Sequence, residues 1–207
     1  ENNGVLPLKD VKRVALYGTG SYDFIAGGTG SGNVNKPYIR NVAEGLTVNG
    51  LEVNQDIQKW YEQYIAFAKT SLKNNGGAGG VLLGDPVISE MEVSRDFIVK
   101  MEPSTDIAIF TLSRNAGEGG DRYAKDGDWT LTGQERELIQ TLADVYHAAG
   151  KQFVVVLNIG GVIAPFVAPL LRSAWLKMHA LAYNADLPRL CHMYLNDANA
   201  MAATDME

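Results

Sequence analysis

The chain has one cysteine in its 207 residues, Cys191, so no disulfide can form within it. That is compatible with the cytosol and equally with a periplasmic or secreted enzyme, and it leaves the core to apolar packing. Positive charge is also scarce. Lys and Arg number 18 against 24 Asp and Glu, a net charge of −6, which argues against nucleic acid as a partner, because phosphate binding needs clustered cations. No apolar run approaches the roughly 18–20 residues of a membrane span, and no signal peptide opens the sequence. The chain begins Glu-Asn-Asn rather than with Met, which leaves room for sequence upstream.

Glycine is plentiful, at 22 residues, and much of it falls in clusters at 18–32, 76–80 and 117–120. The first follows the short apolar run Val14-Ala15-Leu16-Tyr17, long enough for a buried strand. A phosphate cradle is the obvious suspicion there. Yet Gly18-x-Gly20 is followed by Asp23 where a dinucleotide fingerprint needs a third glycine, and Gly27 to Gly32 lacks the Lys-Ser/Thr of a P-loop. A loop lining some other site is the better reading.

Ile107 to Leu112 and Phe153 to Leu157 are continuous apolar runs, which suits strands of a parallel sheet covered on both faces. Between them a helix starts near Thr132, where Thr132 and Glu135 have capping-box spacing. Its apolar stripe is Leu138, Ile139, Leu142, Val145, Tyr146 and Ala149, and Gly150 ends it. A second helix is expected over Asp56 to Leu72, with Ile57, Trp60, Tyr61, Tyr64, Ile65, Ala68 and Leu72 on one face; its aromatics read as core rather than as a stacking platform. A short helix is expected over Tyr38 to Val48 and an extended piece over Leu51 to Val53, while Ser89 to Lys100 has no clear pattern. Another helix is expected over Pro169 to Tyr183, with Leu171, Trp175, Met178 and Ala182 on one face.

The connection over residues 113–131 is far longer than the roughly 2–6 residues usual in a βαβ unit, and such loops tend to be functional. It carries one carboxylate between glycines, Gly117-Glu118-Gly119-Gly120, then Asp121-Arg122. If the strands at 14–17 and 107–112 run parallel, this loop and the loop 18–37 leave from the same sheet edge. Ligands of open α/β sheets sit at that edge.

Four stretches taken together resemble one family. They are Asn3-Gly4-Val5-Leu6-Pro7-Leu8, the Gly-rich Val14 to Asn35, Ser113-Arg114 with Gly117 to Arg122, and Phe153 to Val162. The sequence is similar over about residues 3–163 to the α/β sandwich domain of glycoside hydrolase family 3, the β-glucosidases and their relatives. The resemblance implies a three-layer α/β/α sandwich with a mainly parallel sheet. It implies an active site shared with a (β/α)8 barrel, which supplies an aspartate nucleophile, and a retaining mechanism in which Glu118 is the acid/base. Arg114, Asp121 and Arg122 become candidate substrate-binding residues, and no cofactor or metal is called for. Arg122 is expected to pair with Asp121 or a neighbouring carboxylate rather than with Glu118, whose proton needs a raised pKa. The substrate implied is a β-glucoside or cello-oligosaccharide.

Two departures qualify the resemblance. A barrel needs roughly 250 residues, so the nucleophile belongs elsewhere, and Asp128-Trp129 in the loop is not given that role. Residues 164–207 depart from the family pattern and read as a divergent, partly helical tail on the same domain. A sheet truncated there would expose an edge and favour self-association. His147 reads as structural, and His179, Cys191 and His192 of the tail fit no common zinc spacing. The alternative to an enzyme, or a fragment of one, is a non-catalytic module that binds sugar or packs against a barrel.

Overall fold

The structure, a computed structural model, describes residues 5–32, 34–74, 88–117, 122–161, 163 and 175–177. Five strands form one parallel sheet: β1 (Arg13–Tyr17), β2 (Glu52–Val53), β3 (Ile107–Arg114), β4 (Gln152–Ile159) and β5 (Trp175–Lys177), in the order β2-β1-β3-β4-β5. The helices are α1 (Thr19–Tyr22), α2 (Val42–Val48), α3 (Gln55–Asn74), α4 (Arg95–Met101) and α5 (Gly133–Ala148).

Side chains of successive strand residues point to opposite faces, and the core divides accordingly. On one face Ala15, Tyr17, Ala108, Phe110, Leu112, Phe153, Val155 and Leu157 pack with Ile57 and Tyr61 of α3, Ile98 of α4, and Leu138, Ile139 and Leu142 of α5. On the other Val14, Leu16, Ile107, Ile109, Val154 and Val156 pack with Val5, Ala43 of α2, and Val53. The sandwich is therefore α/β/α, as the continuous apolar runs require.

Helix boundaries follow local chemistry. The Thr132 side chain accepts the Glu135 N–H and the Glu135 side chain accepts the Thr132 N–H, so α5 opens on the expected capping box. Asn41 and Glu44 make the same reciprocal cap. That cap starts α2 at Val42 rather than at Tyr38. Ser94 caps α4 by accepting the Phe97 N–H, in the stretch without a clear sequence pattern. Of the α3 aromatics, Tyr61 is fully buried and stacks on Tyr22, centroids 5.4 Å apart, Trp60 and Tyr64 pack half-buried against the core, and Phe67 is exposed.

Two further differences concern strands. Both β3 and β4 run two residues past their apolar runs, to Arg114 and Ile159. The expectation of a helix across Pro169 to Tyr183 fails at its centre, where Trp175–Lys177 forms β5 and pairs with Val155–Leu157 of β4. Pairing with an open strand edge there overrides the weak helical spacing, and the sheet continues past residue 163. Residues 164–174 and 178–207 lie outside the described residues, with His179, Cys191 and His192 among them. Among the described residues no helix is long and apolar enough to cross a membrane.

Candidate active site

β1 and β3 are adjacent and parallel, with Val14 to Tyr17 in register with Ile107 to Phe110. The chain moves outward from β1 to β2 on one side and from β3 to β4 on the other. A sheet with this order opens a crevice at the carboxyl ends of the two central strands, where ligands bind in such folds. The two Gly-rich loops leave the sheet there, and they touch. Thr29 forms a parallel bridge with Gly117, and its N–H donates to the Ala116 carbonyl at 3.1 Å.

That approach is close enough to require glycine. A Cβ on Gly28 would lie 2.3 Å from the Ala116 carbonyl oxygen, and one on Gly117 would lie 2.1–2.5 Å from three atoms of Thr29. A Cβ on Gly160 would likewise come within 2.8 Å of the Ala116 Cβ. Ala116-Gly117 is thus in close contact with Gly28-Thr29 and with Gly160. The next residue is Glu118. Glu118 and Asp121 lie outside the described residues.

Toward this rim one face of the sheet turns polar. Thr111 and Ser113 of β3 and Asn158 of β4 are all buried. The Ser21 and Thr111 hydroxyls are 2.6 Å apart, joining α1 to β3. Asn158 Oδ1 accepts the Ile25 N–H at 3.0 Å and the Ser113 hydroxyl at 3.1 Å, and its Nδ2 donates to the Ile25 carbonyl at 3.0 Å. The 23–29 segment is therefore tied to the ends of two strands.

Both described arginines of the loop are engaged within the domain. Arg114 is buried, and its five N–H donors are all occupied. Nη1 reaches Glu135 Oε1 and the Ser113 carbonyl, Nη2 reaches Glu135 Oε2 and the Thr130 carbonyl, and Nε reaches the Asp128 carbonyl. These bonds make Arg114 the anchor of the loop's base. Arg122 pairs with Asp128 at 2.8 Å and donates to the Gly160 carbonyl. A neighbouring carboxylate is indeed its partner. Asp128 also accepts the Tyr123 N–H at 2.9 Å, and that bond, with Arg122 beside it, holds its carboxyl below the usual range. His147 is exposed in the last turn of α5.

The sequence reading missed one buried acid. Glu90 lies behind the rim with Oε1 accepting the Tyr61 hydroxyl at 2.9 Å and the Met91 N–H at 3.1 Å, and Oε2 accepting the Thr19 N–H at 3.0 Å. Burial pushes its carboxyl up to about 7 despite these donors. Its flanks carry no periodic pattern, and no local signal marks it.

The profile of the Glycosyl hydrolase family 3 C-terminal domain matches residues 1–180. The chain belongs to this family. The match continues past the Phe153 to Val162 motif and takes in β5. "Beta-glucosidase A" of Butyrivibrio fibrisolvens is 31% identical over 186 residues, 78% of this chain and 21% of that protein. "Beta-glucosidase" of Ruminococcus albus is 30% identical over 164 residues, 78% of this chain and 16% of that protein. Among solved structures, beta-glucosidase 3B of Thermotoga neapolitana in complex with glucose superposes with a TM-score of 0.72 at 32% identity, covering 82% of this chain and 23% of that one. A beta-glucosidase from Paenibacillus barengoltzii gives 0.68 at 29% identity, covering 84% and 19%. The chain thus spans about a fifth of the length of the relatives it matches. In this family 3 domain the crevice between β1 and β3 is the candidate site.

Proposed function

We propose that this chain supplies the acid/base carboxylate, Glu118, of a retaining β-glucosidase whose nucleophile lies on a barrel domain or another chain. The observation that carries the reading is the pairing of Thr29 with Gly117 at the β1/β3 crevice, on the residue that precedes Glu118. Two loops far apart in sequence are joined there, at the edge where α/β sheets bind ligands. Glu118 protonates the glycosidic oxygen as the opposing carboxylate attacks the anomeric carbon. The same group, then ionised, takes a proton from the water that releases the sugar. The two carboxyl groups need to approach to about 5–5.5 Å, so the site is completed from outside this domain, by a barrel or a second copy. The substrate class is a terminal β-D-glucoside, including cello-oligosaccharides. Asp121 is the candidate sugar contact, and Arg122 orders the loop by joining Asp128 to Gly160.

The test compares wild type and Glu118→Gln on aryl β-glucosides with leaving groups of different basicity. Loss of the acid should lower kcat/KM most for a poor leaving group and spare it for dinitrophenolate, which departs without a proton, while the hydrolysis step common to all substrates loses its base. Absence of turnover by wild type removes the enzyme reading for this chain alone. Equal turnover by both proteins on every substrate removes Glu118.

A further inference from the structure

We propose that the Glu90 carboxyl is a proton-operated clasp behind the rim: protonated, it docks residues 88–91 onto α1 and α3, and once ionised it lets α1 and that segment open while the strands stay paired. The clasp is independent of the catalytic reading. Residues 88–91 belong to no helix or strand, so side chains hold them in place. Glu90 accepts the Thr19 N–H of α1 at 3.0 Å, the Tyr61 hydroxyl of α3 at 2.9 Å and the Met91 N–H of its own segment at 3.1 Å. Around it the Thr19 hydroxyl reaches the Ile88 carbonyl at 3.4 Å, and the Tyr64 hydroxyl donates to the Ser89 carbonyl at 3.0 Å. One buried carboxyl is thus the point where α1, α3 and the segment meet.

The clasp has no cation. Among the described residues none forms an ion pair with Glu90. The titratable groups facing it are Tyr61 and Tyr64 of α3 and Glu135 of α5, and Glu135 is already held by Arg114. Tyr17 of β1 and Tyr22 of α1 face Tyr61 instead, and the next α1 neighbour, Asp23, pairs with Lys69 of α3. Glu92, Arg95 and Asp96, which follow in sequence, are exposed. A carboxylate buried without a countercharge is disfavoured, and burial outweighs the donors, raising the group to about 7. Water restores its ordinary value once the segment lifts away, so loss of the proton favours the open form. The β1–β3 ladder from Val14 to Tyr17 runs without Glu90. The Ser21–Thr111 bond ties α1 to the polar face at the rim, so opening of α1 reaches the start of the 23–29 segment.

The experiment uses the full 207-residue chain and compares wild type with Glu90→Gln and Tyr61→Phe. The Glu90 carboxyl is titrated by carbon NMR. Amide exchange is followed at Thr19, which donates to Glu90, at Asp23, which donates to the Thr19 carbonyl, and at Ile109 in the sheet. In wild type the Glu90 resonance should titrate at about 7. Protection of Thr19 and Asp23, corrected for the intrinsic pH dependence of exchange, should fall about thirtyfold between about pH 5 and about pH 7 and level off above about pH 8. It should stay below that of Ile109 throughout, as local opening requires. Glu90→Gln has no proton to lose, so its Thr19 protection should not vary with pH. Tyr61→Phe keeps the ring and removes one donor to the carboxylate, so the Glu90 midpoint should rise; it carries the test if Glu90→Gln does not fold. A Glu90 midpoint in the ordinary carboxylate range, wild-type Thr19 protection that ignores pH, or equal protection of Thr19 and Ile109 at every pH overturns the proposal. None of these readings depends on Glu118→Gln, so the clasp and the catalytic reading fall separately.

Discussion

Arg114 and Glu135 hold each other by both arms, Nη1 to Oε1 at 2.7 Å and Nη2 to Oε2 at 2.6 Å, with each side chain only 7% exposed. The same Glu135 closes the cap of α5. The last residue of β3 and the first turn of α5 are thereby fastened together. The residues between them form a loop whose two ends cannot drift apart.

Breaking that pair should be costly. Arg114→Ala leaves a carboxylate buried without its partner, and such losses run to about 3–5 kcal/mol. Arg114→Lys keeps one charge but gives up the second arm and the bonds to the Asp128 and Thr130 carbonyls, so it should fall between alanine and wild type. Urea unfolding of the three proteins measures this. A cost below about 1 kcal/mol for alanine would contradict the anchoring role.

Glu90 should make stability depend on pH. Its carboxyl sits at about 7 in the folded chain against an ordinary 4.5, so the folded state keeps a proton that the unfolded state releases. Its contribution is complete below about pH 4.5, is lost as pH rises to about 7, and changes no further above that. The whole swing is about 3 kcal/mol at most. Glu90→Gln resembles the protonated form and should flatten this part of the profile. The difference in unfolding free energy between variant and wild type should therefore shift in the variant's favour from about pH 5 to about pH 8. A constant difference across that range would show that Glu90 ionises normally.

Two glycines should respond oppositely to alanine. Gly45, inside α2, has open space where a Cβ would go, so Gly45→Ala should stabilise by about 0.5–1 kcal/mol. Gly28 faces the Ala116 carbonyl oxygen at 2.3 Å from an added Cβ. Gly28→Ala should push the 23–29 segment off the rim and destabilise by about 1–3 kcal/mol, with the Thr29 amide losing protection. Thermal unfolding and amide exchange on both variants check the pair. Equal effects would mean that the rim contact is looser than its geometry.

Asp128→Ala should release Arg122 and the Tyr123 N–H together. Hydrogen bonds to charged groups contribute about 1.5–3 kcal/mol each, and partial exposure of Asp128 lowers that figure. A loss of about 1–2 kcal/mol is expected, with faster proteolysis around residues 122–127. Unchanged cleavage in limited proteolysis would argue that the loop is ordered by other contacts.

Much of this domain is legible in the sequence alone, because the signals are local. Continuous apolar runs marked β1, β3 and β4, and the Thr132–Glu135 spacing with Gly150 bounded α5. The shared rim of the two Gly-rich loops follows from parallel strands. What escaped depended on distant partners. Ser113-Arg114 and Asn158-Ile159 extend their strands although three of the four interrupt or end an apolar run with polarity. The role of Arg114 depends on Glu135, one turn into the next helix. Asn158 is explained only by Ile25, and Glu90 only by Thr19 and Tyr61. One clue was present: Thr111 and Ser113 alternate along β3 as polar residues on a single face, with Asn158 in register beside Ser113. At Trp175–Lys177 the helical spacing misled, because the open side of β4 offered a neighbour that no count along the chain reveals.

The central place of β1 has a consequence for biosynthesis. β1 leaves the ribosome before the strands on either side of it, and β2 can join one of its sides soon after. Its other side waits until residues 107–110 have emerged. The nascent chain therefore carries a bare apolar ribbon through the synthesis of α3 and α4, the interval in which a chaperone or a neighbouring polypeptide has most opportunity to capture it.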